Sequence, residues 1–307
     1  MTVLILFSLA AGLWVATKKI DYTWRWNRVP QYFLYHQEDL QTIPFDGRIA
    51  KIDNLGDRTR ITVVSEQNEE RIFKIDTETI RVSVDEYMFE GDSLGATMSW
   101  RAGPLTVGLW TTLWLSATAS VLGLAIGLIT GLCRVSSNIT LRQLSIFYIE
   151  IIRGTPLLVQ IFIFYFFLGT VLDISRIVAG ISALAIFAGA YVAEIIRAGI
   201  QSIPKGQMEA ARSLGMNVPQ AMIYVILPQA FKRTLPPLAG QFISLIKDSS
   251  LVSVIAITDL TKSGREVITS TFATFEIWFI VALLYLLLTS VLSQVISWVE
   301  RRLAVSD

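Results

Sequence analysis

The run LTVGLWTTLWLSATASVLGLAIGLITGLC, Leu105–Cys133, contains no charged side chain. The hydrocarbon core of a bilayer is about 30 Å thick and a helix rises 1.5 Å per residue, so roughly 20 apolar residues cross it. This run is longer and is expected to span with some tilt. Gly123, Gly127 and Gly131 recur at four-residue spacing, which places a bare stripe on one helix face that a second helix can approach closely.

Working outward, further uncharged stretches occupy Gly154–Leu172, Ile177–Ala193, Thr234–Ile246 and Ile277–Val299, the second and third prolonged by a few amphipathic residues. Met1–Thr17 is also uncharged but barely long enough to cross, and it reads as either an anchor or a signal-peptide core. An uncleaved anchor is preferred, while the basic pair Lys18-Lys19 follows this stretch and no basic residue precedes it, a pattern that matches neither reading cleanly. Five core spans and the anchor make about six transmembrane helices. The expected fold is an all-α membrane protein with a small inserted β-rich extracytoplasmic domain. Its expected parts are an anchor at 1–17, a soluble module at 18–103 and a transmembrane domain at 104–303.

Composition agrees: 53% of the 307 residues are hydrophobic, above the norm for soluble domains. The 26 basic and 25 acidic residues nearly balance and are bunched, so net charge gives no sign of a nucleic-acid partner. One cysteine, Cys133, and one histidine, His36, exclude an internal disulfide and nearly exclude a zinc site or Cys/His nucleophilic catalysis. No glycine-rich phosphate loop ending in Gly-Lys-Ser/Thr is present, so any ATP must be bound by another chain.

Orientation follows from the basic residues of the short connections. Arg134, Arg142 and Arg153, then Arg197, Lys205, Arg212, Lys232 and Arg233, then Arg301 and Arg302 fall on one side if the spans alternate. That side is cytoplasmic by the positive-inside rule, which places the N-terminus inside and the module outside.

Between Ile20 and Gly103 the sequence turns to dense mixed charge with short alternation, which is not a membrane pattern. Gly47–Leu55, Thr59–Ser65, Arg71–Asp76 and Ile80–Val84 read as strands, with turns at Asn54-Leu-Gly56-Asp57 and Glu66-Gln-Asn68-Glu69. A small β-barrel or sandwich is expected. Tyr22–Leu40, rich in Trp24, Trp26, Tyr32, Phe33 and Tyr35, reads as an amphipathic segment at the membrane interface.

The connection at 196–231 carries unusually complete helix punctuation. Ser202 can cap, Pro204 sits near a first turn, and Gly215 suits the left-handed residue that ends a helix over Pro204–Leu214. Met208, Ala211 and Leu214 form an apolar edge of that helix. Asn217-Val-Pro-Gln220 reads as a capping box opening a second helix that Pro228 closes. Physics alone leaves two readings: an amphipathic linker on the bilayer surface, or a docking element. A surface linker has no evident need for adjacent alanines, a corner glycine and two placed prolines.

Glu209-Ala-Ala-x3-Gly215-x9-Val225-x-Leu227-Pro228 resembles the EAA loop of binding-protein-dependent ABC importer permeases, with Val225 where isoleucine is usual. Ile152-Arg-Gly-Thr-Pro-Leu-Leu-Val-Gln160, Ala190-Tyr-Val-Ala-Glu-Ile-Ile-Arg197, Ile203-Pro-Lys-Gly-Gln207 and Ile246-Lys-Asp-Ser-Ser-Leu251 are similar to the polar amino acid branch of that family. The resemblance covers about Leu105–Leu303, the five-helix ABC importer permease core, and not the first hundred residues. Gly240, where asparagine is common, and Ser249, where threonine is common, depart from the pattern. The resemblance implies that Gln207, Glu209, Ala210, Ala211, Leu214 and Gly215 form a coupling helix seated in a groove of a cytoplasmic ATPase.

Ionisable groups at membrane depth are expensive unless paired, wet or functional. Glu194 and Arg197 lie three apart and could neutralise each other; Glu150 and Arg153 repeat the spacing and suggest a helix-end charge network. Lys247 and Asp248 cannot share one helix face, so at least one points into a cavity or toward another chain, unless it snorkels from a helix end. With Gln241, Ser249 and Ser250, such opposed charges could recognise a zwitterionic amino acid; Gln160 is a weaker lining candidate.

The resemblance further implies alternating access driven by ATP and Mg on a partner ATPase dimer, with no cofactor on this chain. It implies a second permease, identical or homologous, an extracytoplasmic solute-binding protein, and a multi-pass location in a bacterial inner membrane. Glutamate, glutamine and aspartate, or basic amino acids, are the expected cargo. An ion-driven secondary transporter would share the intramembrane charges but does not explain the EAA loop. An intramembrane enzyme lacks its His-Glu-x-x-His or Gly-x-Ser-x-Gly motif.

Overall fold

The structure, a computed structural model, describes residues 7, 8, 11, 12, 15 and 17–304. The expected anchor at 1–17 therefore lies largely outside the described residues. The chain divides into two compact units: Pro30–Gly103, and Met1–Val29 together with Pro104–Asp307.

The larger unit is helical. Its elements are α1 (Pro104–Arg134), α2 (Ile139–Arg153), α3 (Leu157–Leu172), α4 (Arg176–Gln201), α5 (Lys205–Ser213), α6 (Val218–Ile255), α7 (Leu260–Thr271) and α8 (Thr274–Ala304). Among the described residues α1, α4, α6 and α8 are long and apolar enough to cross a membrane; α2 and α3, bent by 104° at their junction, make a fifth span if counted as one. The expected span Gly154–Leu172 is thus preceded by a separate helix. Asn138 caps α2, its side chain accepting from the Leu141 amide, and the helix ends at Gly154 before the Thr155-Pro156 corner.

The glycine stripe of α1 lies against α4. A Cβ on Gly123 would sit 2.8 Å from Ala188 Cβ, one on Gly127 2.8 Å from the Gly189 carbonyl, and one on Gly131 2.9 Å from the Ala193 carbonyl. The two backbones approach so closely that no side chain fits between them, the packing that helices use where lipid supplies no hydrophobic drive. Beside this seam Leu115, Ala119, Leu157, Ile161, Leu184, Leu245, Val252 and Ile255 bring α1, α3, α4 and α6 into one core.

The expected helix-stop at Pro228 is overturned. A π turn over Met222–Ile226 links Val218–Ala221 to Leu227–Asp248, so the helix runs on through Pro228. The Leu227 amide reaches back five residues to the Met222 carbonyl, and the proline then falls in a first α turn, where its missing N–H is not needed. Near the start of α8, the fully buried Glu276 accepts from the Tyr22 hydroxyl and the Arg25 amide, while Arg25 Nη1 donates to the Thr271 carbonyl at 2.8 Å.

The smaller unit holds two antiparallel sheets. One pairs β1 (Leu34–Thr42) with β6 (Ser93–Ala102); the other orders β4-β3-β2-β5, with β2 at Gly47–Asn54, β3 at Arg58–Ser65, β4 at Glu70–Asp76 and β5 at Tyr87–Met88. Ile43, Ile49, Ile61, Val63, Ile75, Met88 and Leu94 form its core. The turns follow their residues: Gly56 has φ +95° and its amide donates to Asn54 Oδ1 at 2.9 Å, and Asn68 has φ +65°. One local expectation changes: Ile80–Val84 follows a 3₁₀ turn at Thr77–Thr79 without joining a ladder. The segment Tyr22–Leu40 includes a 3₁₀ turn, Trp26–Tyr32, and most of β1. The strand escaped notice because His36-Gln-Glu-Asp39 has no apolar alternation; its register comes from pairing with β6.

Across that ladder the Ser99 hydroxyl and Arg101 guanidinium both donate to Asp39 at 2.8 Å, which holds its carboxyl below the usual carboxylate range. Such a group adds stability above its unfolded pKa of about 4, and the gain is lost as pH falls through the depressed folded value. Asp39→Asn is therefore expected to speed amide hydrogen exchange in β1 and β6 at neutral pH, with the difference from wild type vanishing below the folded pKa. Gly127→Leu, which forces a side chain between α1 and α4, is expected to cost about 1–3 kcal/mol or more, read as a lower melting temperature of the detergent-purified chain.

Candidate functional site

The elbow between α4 and α6 is built from backbone geometry. Ser202 does not cap α5 as expected: it closes α4, its hydroxyl donating back to the Gly199 carbonyl at 2.7 Å, and Pro204 takes the N-cap position. At the other end Gly215 adopts φ +89°; its amide donates to the Arg212 carbonyl at 3.0 Å and the Met216 amide to the Ala211 carbonyl at 3.2 Å. These are the paired bonds of a Schellman motif, which a β-carbon at Gly215 would strain. Asn217 and Gln220 then exchange a reciprocal capping box, each side chain meeting the other's amide at 2.9 Å.

Beneath the elbow, Met208, Met222 and Val225 pack on Ile196, Ile200, Ile203 and Ile226, and Ala211 is buried. Gln207, Glu209, Ala210, Leu214 and Gly215 are exposed. Leu214 leaves the expected apolar edge and is 81% exposed, because the helix has already ended at Ser213. A rigid short helix thus presents a carboxylate, a small residue and a bare leucine to whatever faces it.

Two braces were not singled out from sequence. Gln229 donates to the Val225 carbonyl at 2.9 Å and to Gln207 Oε1 at 3.3 Å; Arg233 Nη1 donates to the Ser202 carbonyl at 2.6 Å. They sit four apart on α6 and tie it to α5 and to the end of α4. Their signal is that spacing alone, which an exposed polar face would show equally.

Of the charge network, Glu194 and Arg197 form an ion pair extended to Gln201, and the Arg153 guanidinium lies 5.1 Å from the Tyr191 ring centroid. Glu150 is exposed and makes no ion pair with any described residue. The remaining candidates separate. Gln160 is buried and donates to the Ile152 carbonyl and Thr155 Oγ1, each at 2.8 Å, across the 104° bend. Lys247 and Ser250 line a hollow of about 290 Å³ with Thr261, Trp278 and Tyr285. Asp248 and Gln241 are half-buried outside that lining, and the buried Ser249 donates to the Ile246 carbonyl at 2.7 Å.

Residues 123–305 match the family described as binding-protein-dependent transport system inner membrane component. The glutamine transport system permease protein GlnP of Escherichia coli (strain K12) is 41% identical over 210 residues, 67% of this chain and 96% of its own length. The probable glutamine ABC transporter permease protein GlnM of Bacillus subtilis (strain 168) is 43% identical over 197 residues, 64% of this chain and 91% of its own. A crystal structure of an amino acid ABC transporter with histidines superposes with a TM-score of 0.61 at 45% identity, covering 65% of this chain and 94% of that one. The chain belongs to the binding-protein-dependent transport system inner membrane component family, the permease subunits of ABC transporters whose ATPase is a separate subunit.

Proposed function

We propose that this chain carries polar amino acids across a bacterial inner membrane as the permease of an ABC importer, with glutamine the first cargo to test. The observation that carries the proposal is the elbow: α5 is stiffened at both ends, braced by Gln229 and Arg233, and exposes Glu209, Ala210 and Leu214. A lever must not bend in proportion to the force it transmits, and each device at the elbow removes a degree of freedom from its backbone. The names of GlnP and GlnM, at 41% and 43% identity, support the cargo. Glutamate, aspartate and basic amino acids share the zwitterionic backbone and stay in the test panel.

In this reading an ATPase dimer, holding ATP and Mg, seats the exposed face of α5 of this chain and of a second permease, identical or homologous. ATP binding draws the two coupling helices together and the permease pair opens outward. A solute-binding protein then releases the amino acid, and hydrolysis resets the pair. The Pro30–Gly103 unit lies on the extracytoplasmic side. Lys247, Asp248, Ser249, Ser250, Gln241 and Gln160 belong to the cargo path or its walls, and this chain holds no cofactor. Lys247 and Ser250 in their shared hollow are the lining residues we rank first.

Glu209→Lys is expected to lower ATP-driven uptake at least about tenfold in proteoliposomes while ATPase activity persists and insertion is unchanged. Gly215→Val should do the same, since a β-branched residue at φ +89° costs on the order of 1–3 kcal/mol of backbone strain. Wild-type uptake by either variant would defeat the lever. A cysteine replacing Ala210 should cross-link to the ATPase in the assembled complex. Uptake that continues without ATP and collapses with an uncoupler would instead mark an ion-driven transporter.

A further inference from the structure

Beside the elbow, residues from the ends of five helices line a second hollow of about 530 Å³. Its lining joins Arg134 of α1, Arg142 of α2, Gln201 of α4 and Lys205 of α5, together with Ser136 of the α1–α2 connection. Ile200, Ile203, Met208, Met222 and Ile226 form an apolar floor, and no carboxylate is among the lining residues.

Three cations lining one hollow repel each other and favour a counter-charge there, with Arg134 half-buried and Arg142 and Lys205 exposed. None of Arg134, Arg142 and Lys205 donates a side-chain hydrogen bond or forms an ion pair with any described residue, and the buried Nε of Arg134 has no hydrogen-bond partner. The Glu194 carboxylate, whose charge acts on Arg134, is already paired with Arg197. Elsewhere in the same unit the basic side chains at helix breaks are used: Arg25, Arg233, Arg176 and Lys262 each donate to a main-chain carbonyl. The three in the hollow are not.

We propose that this hollow binds an anionic phosphate group, with the cations on its oxygens and the carbon skeleton of the ligand on the isoleucine–methionine floor. A guanidinium fork suits phosphate oxygens in a bidentate contact, and basic pockets between membrane helices take anionic lipid headgroups. Two sources share this chemistry: the headgroup of an anionic phospholipid and a soluble phosphate ester. Either would tie α1 and α2 to α5. The binding claim stands whether or not α5 is the coupling helix.

The test is binding to the full-length chain, read by native mass spectrometry and thermal shift, with dioleoyl phosphatidylglycerol, dioleoyl phosphatidylcholine and glycerol 3-phosphate as probes. Wild type is expected to retain phosphatidylglycerol over phosphatidylcholine. Losing two cations through Arg134→Gln with Arg142→Gln should weaken that retention about tenfold or more. Lys205→Gln, on an exposed position of α5, should weaken it less and guards against a double variant that fails to fold; Arg301→Gln, outside the hollow, should leave it unchanged. Stabilisation by glycerol 3-phosphate that the same substitutions abolish would support the site and assign it to a soluble ester. Binding of none of the probes, or equal retention by wild type and the Lys205→Gln and double variants, would overturn the proposal.

Discussion

In hydrocarbon, a peptide group released from its helix finds no water to replace the lost bond. The permease unit breaks its helices repeatedly, and at several breaks a side chain takes over the released group. Gln160 caps carbonyls at the α2–α3 bend. At Ala256, which ends α6 with φ +61°, the carbonyl receives Lys262 Nζ at 3.2 Å and Arg176 Nη1 at 3.4 Å. The Leu260 amide that opens α7 finds Thr112 Oγ1 on α1 at 3.0 Å. In these places polar side chains mend the main chain.

The same economy connects the glycine stripe to the elbow. Val192 lies against Gly127 where α1 meets α4, and it also belongs to the cluster with Ile196, Ile200 and Ile226 under α5. Close approach of two backbones deep in the membrane is thereby continuous, through three turns of α4, with the platform that carries Glu209 and Ala210. The ion pairs of the described residues are mostly exposed, and such pairs contribute little.

Much of this was legible in the amino-acid order because it rests on local rules. The four-residue glycine spacing, the Asn217–Gln220 box and the left-handed Gly215 each depend on a few neighbouring residues, and each is present as read. What escaped was set by partners distant in sequence. Ser202 reads as a cap, but its hydroxyl turns back to Gly199 and receives Arg233 from 31 residues on. The β1 strand carries no periodic signal and owes its register to β6. The bonds of Gln160 across the α2–α3 bend give no sign in the sequence, because the bend itself is not legible there. Family membership rests on residues 123–305 and leaves the Pro30–Gly103 unit outside its reach.

The π turn at Met222–Ile226 fixes the length of the loop as firmly as its residues do. A turn closed over five residues holds one more residue than an α turn, and each residue carries about 100° of rotation. Deleting a single residue between Gln220 and Leu227 would let the helix wind without a bulge, setting the ring of Pro228 against the carbonyl one turn behind it. The same deletion would swing Gln229 and Arg233 a quarter-circle or more away from α5. The segment therefore has a reading frame of its own: substitutions on its surface are free to drift, while insertions and deletions, ordinarily the cheapest changes a loop can undergo, are closed to it.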